Sequence, residues 1–193
     1  MKKLDQASIQ LLGNRSLFEE IHELKSSFIV LFSDLANEIP PRDLLALHPT
    51  SQGLKISKGN ELQHCPYQVL DIIRDFDKEQ GFNIRILNWW GRGLYVFIYF
   101  GKYNERILLD RDFLAEMQFQ GYLLAKTSSP WDYKSMIDTG NLEPIDHTAQ
   151  LSAHLEKFHY MQLVRKITYT SDYLTLKLTL KEQVTQILNF YRR

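Results

Sequence analysis

Cys65 is the only cysteine in the sequence, and its type and position suit catalysis. It precedes Pro66, and proline is favoured at the first position of a helix, so the sequence predicts a helix over 66–80 that begins here. Backbone N–H groups and the helix dipole at such an end lower the pKa of a thiol and raise its reactivity. Cys65 is therefore a candidate nucleophile, and the alternative interpretation is a buried or helix-capping cysteine.

Acidic residues on the polar side of the same predicted helix form a second candidate group. Asp71 and Asp75 are four residues apart, so their carboxylates would share a helix face. The segment over 127–147 shows little periodicity and is predicted to be a loop, and loops of this length are often functional. These features define one hypothesis, a small enzyme with its site near Cys65, the Asp71–Asp75 helix face and this loop. The alternative is an ordinary solvated helix face.

Strong catalytic and metal-binding motifs do not occur in the sequence. It contains no G-x-S-x-G, H-E-x-x-H or phosphate-binding glycine-rich motif. The cysteine and histidine spacings of zinc sites are also missing. We therefore predict no metal site and no cofactor, and we favour a binding protein over an enzyme.

The stretch ILNWWGRGLYVFIYFG, residues 86–101, predicts a β-hairpin with one aromatic face. Successive residues of a strand point to opposite faces, so one face of this hairpin is mainly aliphatic. The other face is aromatic with a polar fringe and carries Arg85, Leu87, Trp89, Tyr95, Phe97 and Tyr99. Phenol and indole groups suit a surface that is partly dry and partly hydrated. These six residues are the candidate ligand- or partner-binding residues, and we call their surface the aromatic face.

The hairpin loop determines which residues pair across the two strands. The segment Gly91–Gly93 suits a three-residue loop, with the left-handed backbone conformation at Gly93. In that register Trp90 pairs with Leu94, and Trp90 is expected to be buried on the aliphatic face with Val96.

The aromatic face needs a cover. The favoured cover is the long N-terminal helix predicted over 15–38, whose apolar residues recur every three to four positions. If the face is open instead, it could bind a small apolar or aromatic ligand or a second copy of the chain, and a homodimer is then the simplest assembly. The function hypothesis is a non-catalytic ligand-binding or assembly domain that uses this face.

The whole pattern predicts one α+β domain over 1–193, with an N-terminal helical segment at about 1–39 that can act as an appendage. Its antiparallel sheet is built around a three-stranded meander over about 82–109, with the long N-terminal helix and C-terminal helices packed on it. Residues 66–80 suit a helix or, as the alternative, a buried strand. Further helices are predicted at 110–119, 148–166 and 179–190, and further strands at 121–126 and 174–178.

Charge and hydropathy limit the partners. Twenty-three basic and 23 acidic side chains give a formal net charge of zero, so we do not expect general nucleic-acid binding. No apolar run approaches the roughly 18 residues that span a membrane, and the first residues do not resemble a signal peptide. We expect a cytoplasmic protein that avoids membranes and binds small apolar or aromatic ligands or further copies of itself.

Overall fold

The structure is a computed structural model that describes residues 4–109, 111–145 and 148–190. The helices are α1 (Gln6–Leu12), α2 (Arg15–Asn37), α3 (Pro41–Leu47), α4 (Glu105–Leu109), α5 (Arg111–Phe119), α6 (Tyr133–Ile137), α7 (Thr148–Phe158) and α8 (Tyr173–Phe190). The strands are β1 (Lys55–Leu62), β2 (Cys65–Arg74), β3 (Phe82–Trp89), β4 (Gly93–Gly101), β5 (Leu123–Ala125), β6 (Leu142–Pro144) and β7 (Tyr160–Ile167). Residues 1–3, 110, 146–147 and 191–193, which belong to the predicted domain, lie outside the described residues.

Within the described residues the strands form one seven-stranded sheet in the order β1-β2-β3-β4-β7-β5-β6. Every neighbouring pair is antiparallel. Strand β7 pairs along the whole of β4, which joins the hairpin half of the sheet to the β5–β6 half. The predicted fold class is confirmed: an α+β protein with an antiparallel sheet, a long N-terminal helix and C-terminal helices.

The aliphatic face of the sheet carries the main core. Buried side chains of β2, β3 and β4 alternate along each strand, and they pack against helices α2 and α8. The contributing helical residues lie on one face of each helix, as spacings of one, three and four allow; they include Leu31, Phe32, Leu35, Leu180, Val184 and Ile187. Helix α2 therefore covers the aliphatic face, and the expectation that it covers the aromatic face is wrong.

The aromatic face is covered by the chain's own segment 126–142, which contains α6. Tyr133 and Met136 of α6 form a second buried cluster with Leu87, Trp89 and other residues of the aromatic face. The rings of Phe97 and Tyr133 are 4.9 Å apart. The segment predicted to be a functional loop is therefore largely a structural cover.

Helix α1 and the N-terminal half of α2 contribute no buried residue to either core. No residue of α1 is buried, and the buried residues of α2, namely Leu31, Phe32 and Leu35, all lie in its C-terminal half. Large apolar side chains in the first 24 residues are exposed: Leu4, Ile9, Leu11, Leu12, Phe18 and Leu24.

Residues 65–74 form strand β2, so the predicted helix over 66–80 is wrong and the alternative interpretation is correct. The run Val69–Ile73 is buried on both faces of the sheet. A strand in that position needs no polar alternation, which removes the signal that separates a strand from a helix. The three-stranded meander is consequently β2-β3-β4, and residues 105–109 form α4 instead of its third strand.

Two C-terminal elements also differ from the prediction. Residues 174–178 lie in α8, because Asp172 accepts a hydrogen bond from the backbone N–H of Thr175 and caps the helix start. Leu176 and Leu180 are buried one turn apart, which is helical spacing. The predicted helix over 148–166 ends at Phe158, and strand β7 follows.

The β3–β4 hairpin has a three-residue loop one position earlier than predicted. Trp89 pairs with Gly93, so Trp90, Gly91 and Arg92 form the loop, and Gly91 takes the left-handed conformation with φ +76. The assignment of residues to the two faces still holds, because the register differs by two residues and the side-chain period is two. Trp90 is only half-buried, however, and Trp89 is the fully buried tryptophan.

Candidate functional site

The edge of the aromatic face forms a pocket of about 430 Å³. Phe76, Tyr99, Trp131, Phe158 and Tyr160 form its walls, and Lys78, Glu79 and His159 add exposed polar groups. Cavities of this volume, with mainly aromatic walls, suit small organic ligands. We call it the aromatic pocket.

Two buried tyrosines on neighbouring strands form one wall. Tyr99 lies on β4 and Tyr160 at the start of β7, and their ring centroids are 6.1 Å apart. Both hydroxyls donate to backbone carbonyls, Tyr99 to Asp77 at 3.1 Å and Tyr160 to Thr127 at 2.8 Å. These bonds hold the two buried rings in place as the inner wall of the pocket.

Trp131 forms the opposite side and comes from the turn that precedes α6. Its backbone N–H donates to Ser129 Oγ at 3.2 Å. The indole contacts Phe76 edge to face, with centroids 5.1 Å apart, and lies 5.7 Å from Tyr99. Its side chain remains 41% exposed, so part of the indole is free to stack on a ligand.

Arg85 supports the pocket from beneath. Its guanidinium lies 5.4 Å from the Phe76 ring and 5.3 Å from the Trp131 ring, within the range of cation–π attraction. It also donates two hydrogen bonds to Asp71, at 2.7 and 3.0 Å, and one to Tyr133 at 2.6 Å. The charge of Arg85 is therefore neutralised inside the protein, and the residue holds two pocket rings in place.

The pocket walls are uncharged near neutral pH. Burial is the main cause that raises the pKa of Tyr99 to about 12, and the carboxylates of Asp77 and Asp75 add to it. Burial likewise raises the pKa of Tyr160. Both phenols stay protonated, and the exposed Lys78 and Glu79 offset each other in formal charge. The arrangement favours a neutral, flat ligand.

The six predicted binding residues have different environments. Leu87, Trp89, Tyr95 and Phe97 are buried under segment 126–142, with at most 3% of each exposed. Tyr99 lines the aromatic pocket, and Arg85 contacts two of its rings. Tyr95 in turn lines a separate cavity of about 520 Å³ beside Arg92 and Asp138.

The candidate catalytic residues do not form one site. Cys65 begins a strand, so the helix N-terminus that would activate its thiol is missing, and Arg92 Nη1 lies 3.4 Å from its sulfur. Arg92 in turn pairs with Asp138 of the covering segment. Asp71 is buried and bound by Arg85 and by Asn83 Nδ2 at 3.1 Å. The predicted Asp71–Asp75 helix face does not exist, because these residues lie on or after a strand.

Asp75 belongs to a separate cluster with His48 and Thr50 that the sequence did not reveal. His48 Nε2 is 2.8 Å from Asp75 Oδ2 and 3.0 Å from Thr50 Oγ1, and Thr50 also donates to Asp75 at 2.7 Å. In a catalytic triad the carboxylate and the nucleophile bind different ring nitrogens. Here both contact Nε2, so the cluster is not arranged for nucleophilic catalysis.

The pKa of Asp75 lies below its ordinary value. Burial by itself raises this pKa, but hydrogen bonds from Thr50 and from the backbone of Asp77, with the contact to His48, outweigh it. Asp75 is therefore an ionised structural acceptor.

Sequence reasoning missed four of the five wall residues: Phe76, Trp131, Phe158 and Tyr160. Phe76 falls within the predicted helix over 66–80 but lies in the loop after β2, and Tyr160 begins a strand that was not predicted. Trp131 lies in the segment singled out for its length, and a tryptophan in a predicted loop was the available signal.

Across the described ranges, His, Cys, Asp and Glu side chains nowhere gather in groups of three or more that could hold a metal ion. Every helix in the described part of the chain is too short or too polar to span a bilayer. Comparison with known proteins finds no matching family model, no matching curated protein and no matching solved structure.

Proposed function

We propose that the protein is a non-catalytic binding protein that takes a small, flat, neutral aromatic or apolar molecule into the aromatic pocket. The observation that carries the proposal is the placement of Trp131. Its ring is held by Phe76, Tyr99 and Arg85 and yet remains 41% exposed over a cavity of about 430 Å³.

The chemistry of the walls supports a binding role. The phenol groups of Tyr99 and Tyr160 are committed to backbone carbonyls, so they act as walls and not as acids or bases. The guanidinium of Arg85 is committed to Asp71 and Tyr133. The formal net charge of zero also supports a small ligand over a nucleic acid.

Trp131→Ala is expected to weaken binding of Nile red, a flat uncharged dye, by about tenfold, equivalent to about 1.4 kcal/mol. The substitution removes an exposed ring that stacks on the ligand. Dye fluorescence during titration gives the affinity and the stoichiometry, which should be one dye per chain in the wild type.

Tyr173→Ala is the matched control. It removes an aromatic ring of similar exposure, 42%, from α8 on the other side of the sheet. Its affinity for the dye should equal that of the wild type. Equal affinities of the wild type and Trp131→Ala, or no saturable binding at all, would refute the proposal.

Self-association is a second candidate function, favoured by the exposed apolar residues of the N-terminal helices. Leu12 and Phe18 are 65% and 48% exposed, beside other apolar residues of α1 and α2. Apolar groups gathered on one surface commonly mark an interface, and a formal net charge of zero offers little repulsion between copies.

Under this second proposal the wild type is a dimer in light scattering at micromolar concentration, and the double variant Leu12→Glu/Phe18→Glu is a monomer. The introduced carboxylates would lose their hydration in the interface, which opposes association. Leu178→Glu, at a 51% exposed leucine of α8, is the control and should remain dimeric. A monomeric wild type rules out self-association.

A further inference from the structure

A second cavity lies on the opposite side of the sheet from the aromatic pocket. It has a volume of about 550 Å³ and lies between α2 and strands β1 and β2. Its polar lining residues are His22, Lys25, Ser26, Lys58, Asn60 and Gln68. We call it the α2–β1 groove.

The lining of the groove is cationic. It contains two lysines and a histidine and no aspartate or glutamate. Lys25 Nζ contacts the neutral amide oxygen of Asn60 at 3.0 Å. Neither Lys25 nor Lys58 forms an ion pair with any residue that the structure describes. The two ammonium charges are thus not neutralised by the protein.

Gln68 adds an oriented hydrogen-bond donor to this wall. Its side chain is 1% exposed, and its Oε1 accepts from Asn88 Nδ2 at 2.8 Å and from Trp90 Nε1 at 3.0 Å. Asn88 is fixed in turn, because its Oδ1 accepts from the Tyr169 hydroxyl at 2.5 Å. An amide whose oxygen accepts two donors has one orientation only.

Gln68 lines the groove, and with its oxygen occupied by two donors, its Nε2 group is the part of the amide that can donate to a ligand there. Among the described residues this group donates to no side chain or carbonyl. It is not one of the fully buried polar atoms that lack a partner, so solvent reaches it. It is therefore free to donate to an acceptor bound in the groove.

We propose that the α2–β1 groove binds a small organic anion whose carboxylate or phosphate accepts a hydrogen bond from Gln68 Nε2. The anion is neutralised by Lys25 and Lys58, and its apolar part lies against Ile29 and Val30, which complete the lining. Lysine ammonium groups attract an anion as point charges and, unlike arginine, do not require a bidentate ligand. One fixed donor with two lysines therefore selects a ligand by its negative charge. The proposal is independent of the aromatic pocket, which shares no lining residue with this groove.

The test is calorimetric titration with phenyl phosphate, benzoate and inorganic phosphate, with benzyl alcohol as the uncharged analogue. Phenyl phosphate and benzoate should bind, inorganic phosphate more weakly because it lacks the apolar part, and benzyl alcohol least. Affinity should fall as salt rises, because the lysines are exposed to solvent ions. The highest concentration tested is about 10 mM, on the order of the weakest useful affinity. If none of the three anions binds at that concentration, the proposal is overturned.

Gln68→Glu is the decisive variant because it changes only the group that can donate to a ligand in the groove. The carboxylate still accepts from Asn88 and Trp90, but it replaces the amide donor with negative charge. Loss of a hydrogen bond to a charged partner predicts at least about a tenfold weaker affinity for phenyl phosphate. An unchanged affinity contradicts the assignment of Gln68.

Lys58→Gln tests the groove without altering the buried network. It should weaken phenyl phosphate binding about fivefold, while Lys55→Gln, the same change on the same strand but outside the groove lining, should leave the affinity unchanged. Equal weakening by both lysine variants would mean non-specific attraction and would overturn the proposal. Acidic peptides that bind more tightly than the small anions, and that lose affinity in Lys55→Gln as well, would also overturn it.

Discussion

Trp89→Ala is expected to lower the free energy of unfolding by about 3–5 kcal/mol, the usual cost of emptying a large aromatic site. Trp89 has none of its surface exposed and packs in the second buried cluster. Its Nε1 also donates to the carbonyl of Leu62 at 2.8 Å, and Arg92 lies 4.3 Å from the ring. Chemical denaturation measures the loss directly, and a fall in Tm of roughly 6–20 °C should accompany it.

Trp90→Ala is the control for this prediction, because the two tryptophans are adjacent and differ in burial. Trp90 is half-buried in the hairpin loop and donates one hydrogen bond to Gln68. We expect its replacement to cost about 1–2 kcal/mol. If Trp90→Ala proved as damaging as Trp89→Ala, the register of the hairpin described above would be wrong.

Asp71→Ala is expected to cost about 3–5 kcal/mol, because it leaves a buried cation without its partner. The Asp71 side chain is 4% exposed and that of Arg85 is 16% exposed. The remaining contacts of Arg85 are the Tyr133 hydroxyl and two aromatic rings, which do not carry a negative charge. Thermal and denaturant unfolding of the purified variant measure the effect.

Two variants separate the burial of this ion pair from the charge change itself. Asp138→Ala removes the partner of Arg92 at a site where both side chains are more than 20% exposed, so it should cost only about 0–1 kcal/mol. The double variant Asp71→Leu/Arg85→Met should be more stable than Asp71→Leu alone, since it removes the unpaired charge. A double variant that is less stable than the single one would contradict the stated cause.

Side-chain alternation made the two faces of the β3–β4 hairpin predictable. The observed strand pairing differs from the predicted pairing by two residues, and the side-chain period of a strand is also two. Ile86 and Leu87 therefore stay on the faces to which they were assigned, although the loop was misplaced. Which of the two tryptophans is buried was not predictable in this way. Trp89 is the buried one and Trp90 is half-buried, because the loop begins one residue earlier than its glycines suggested.

Buried strands were the main limit of sequence reasoning. Strands β2 and β7 are covered on both faces along most of their length, so they lack the polar alternation that marks a half-buried strand. Strand β7 also follows α7 directly, with only His159 between them in a left-handed conformation. A histidine gives no warning of such a turn, unlike glycine.

The candidate site could be predicted only in part. Tyr99 and Arg85 were included because they lie on the aromatic face. Phe76, Trp131 and Tyr160 come from three separate segments that meet only in the folded chain. Which segment covers a sheet face is decided by tertiary packing, and local sequence carries little information about it.

The position of β7 in the sheet also has a consequence for how the chain folds. The outer edge of β4 is completed only by residues 160–167, which a ribosome makes long after residues 93–101. Until then the nascent sheet ends in an unpaired, almost wholly apolar strand, the kind of edge that pairs with other chains. Pairing across such a distance also slows folding, because the loop between must close first. Completion of this sheet is therefore the step at which aggregation competes with folding during synthesis.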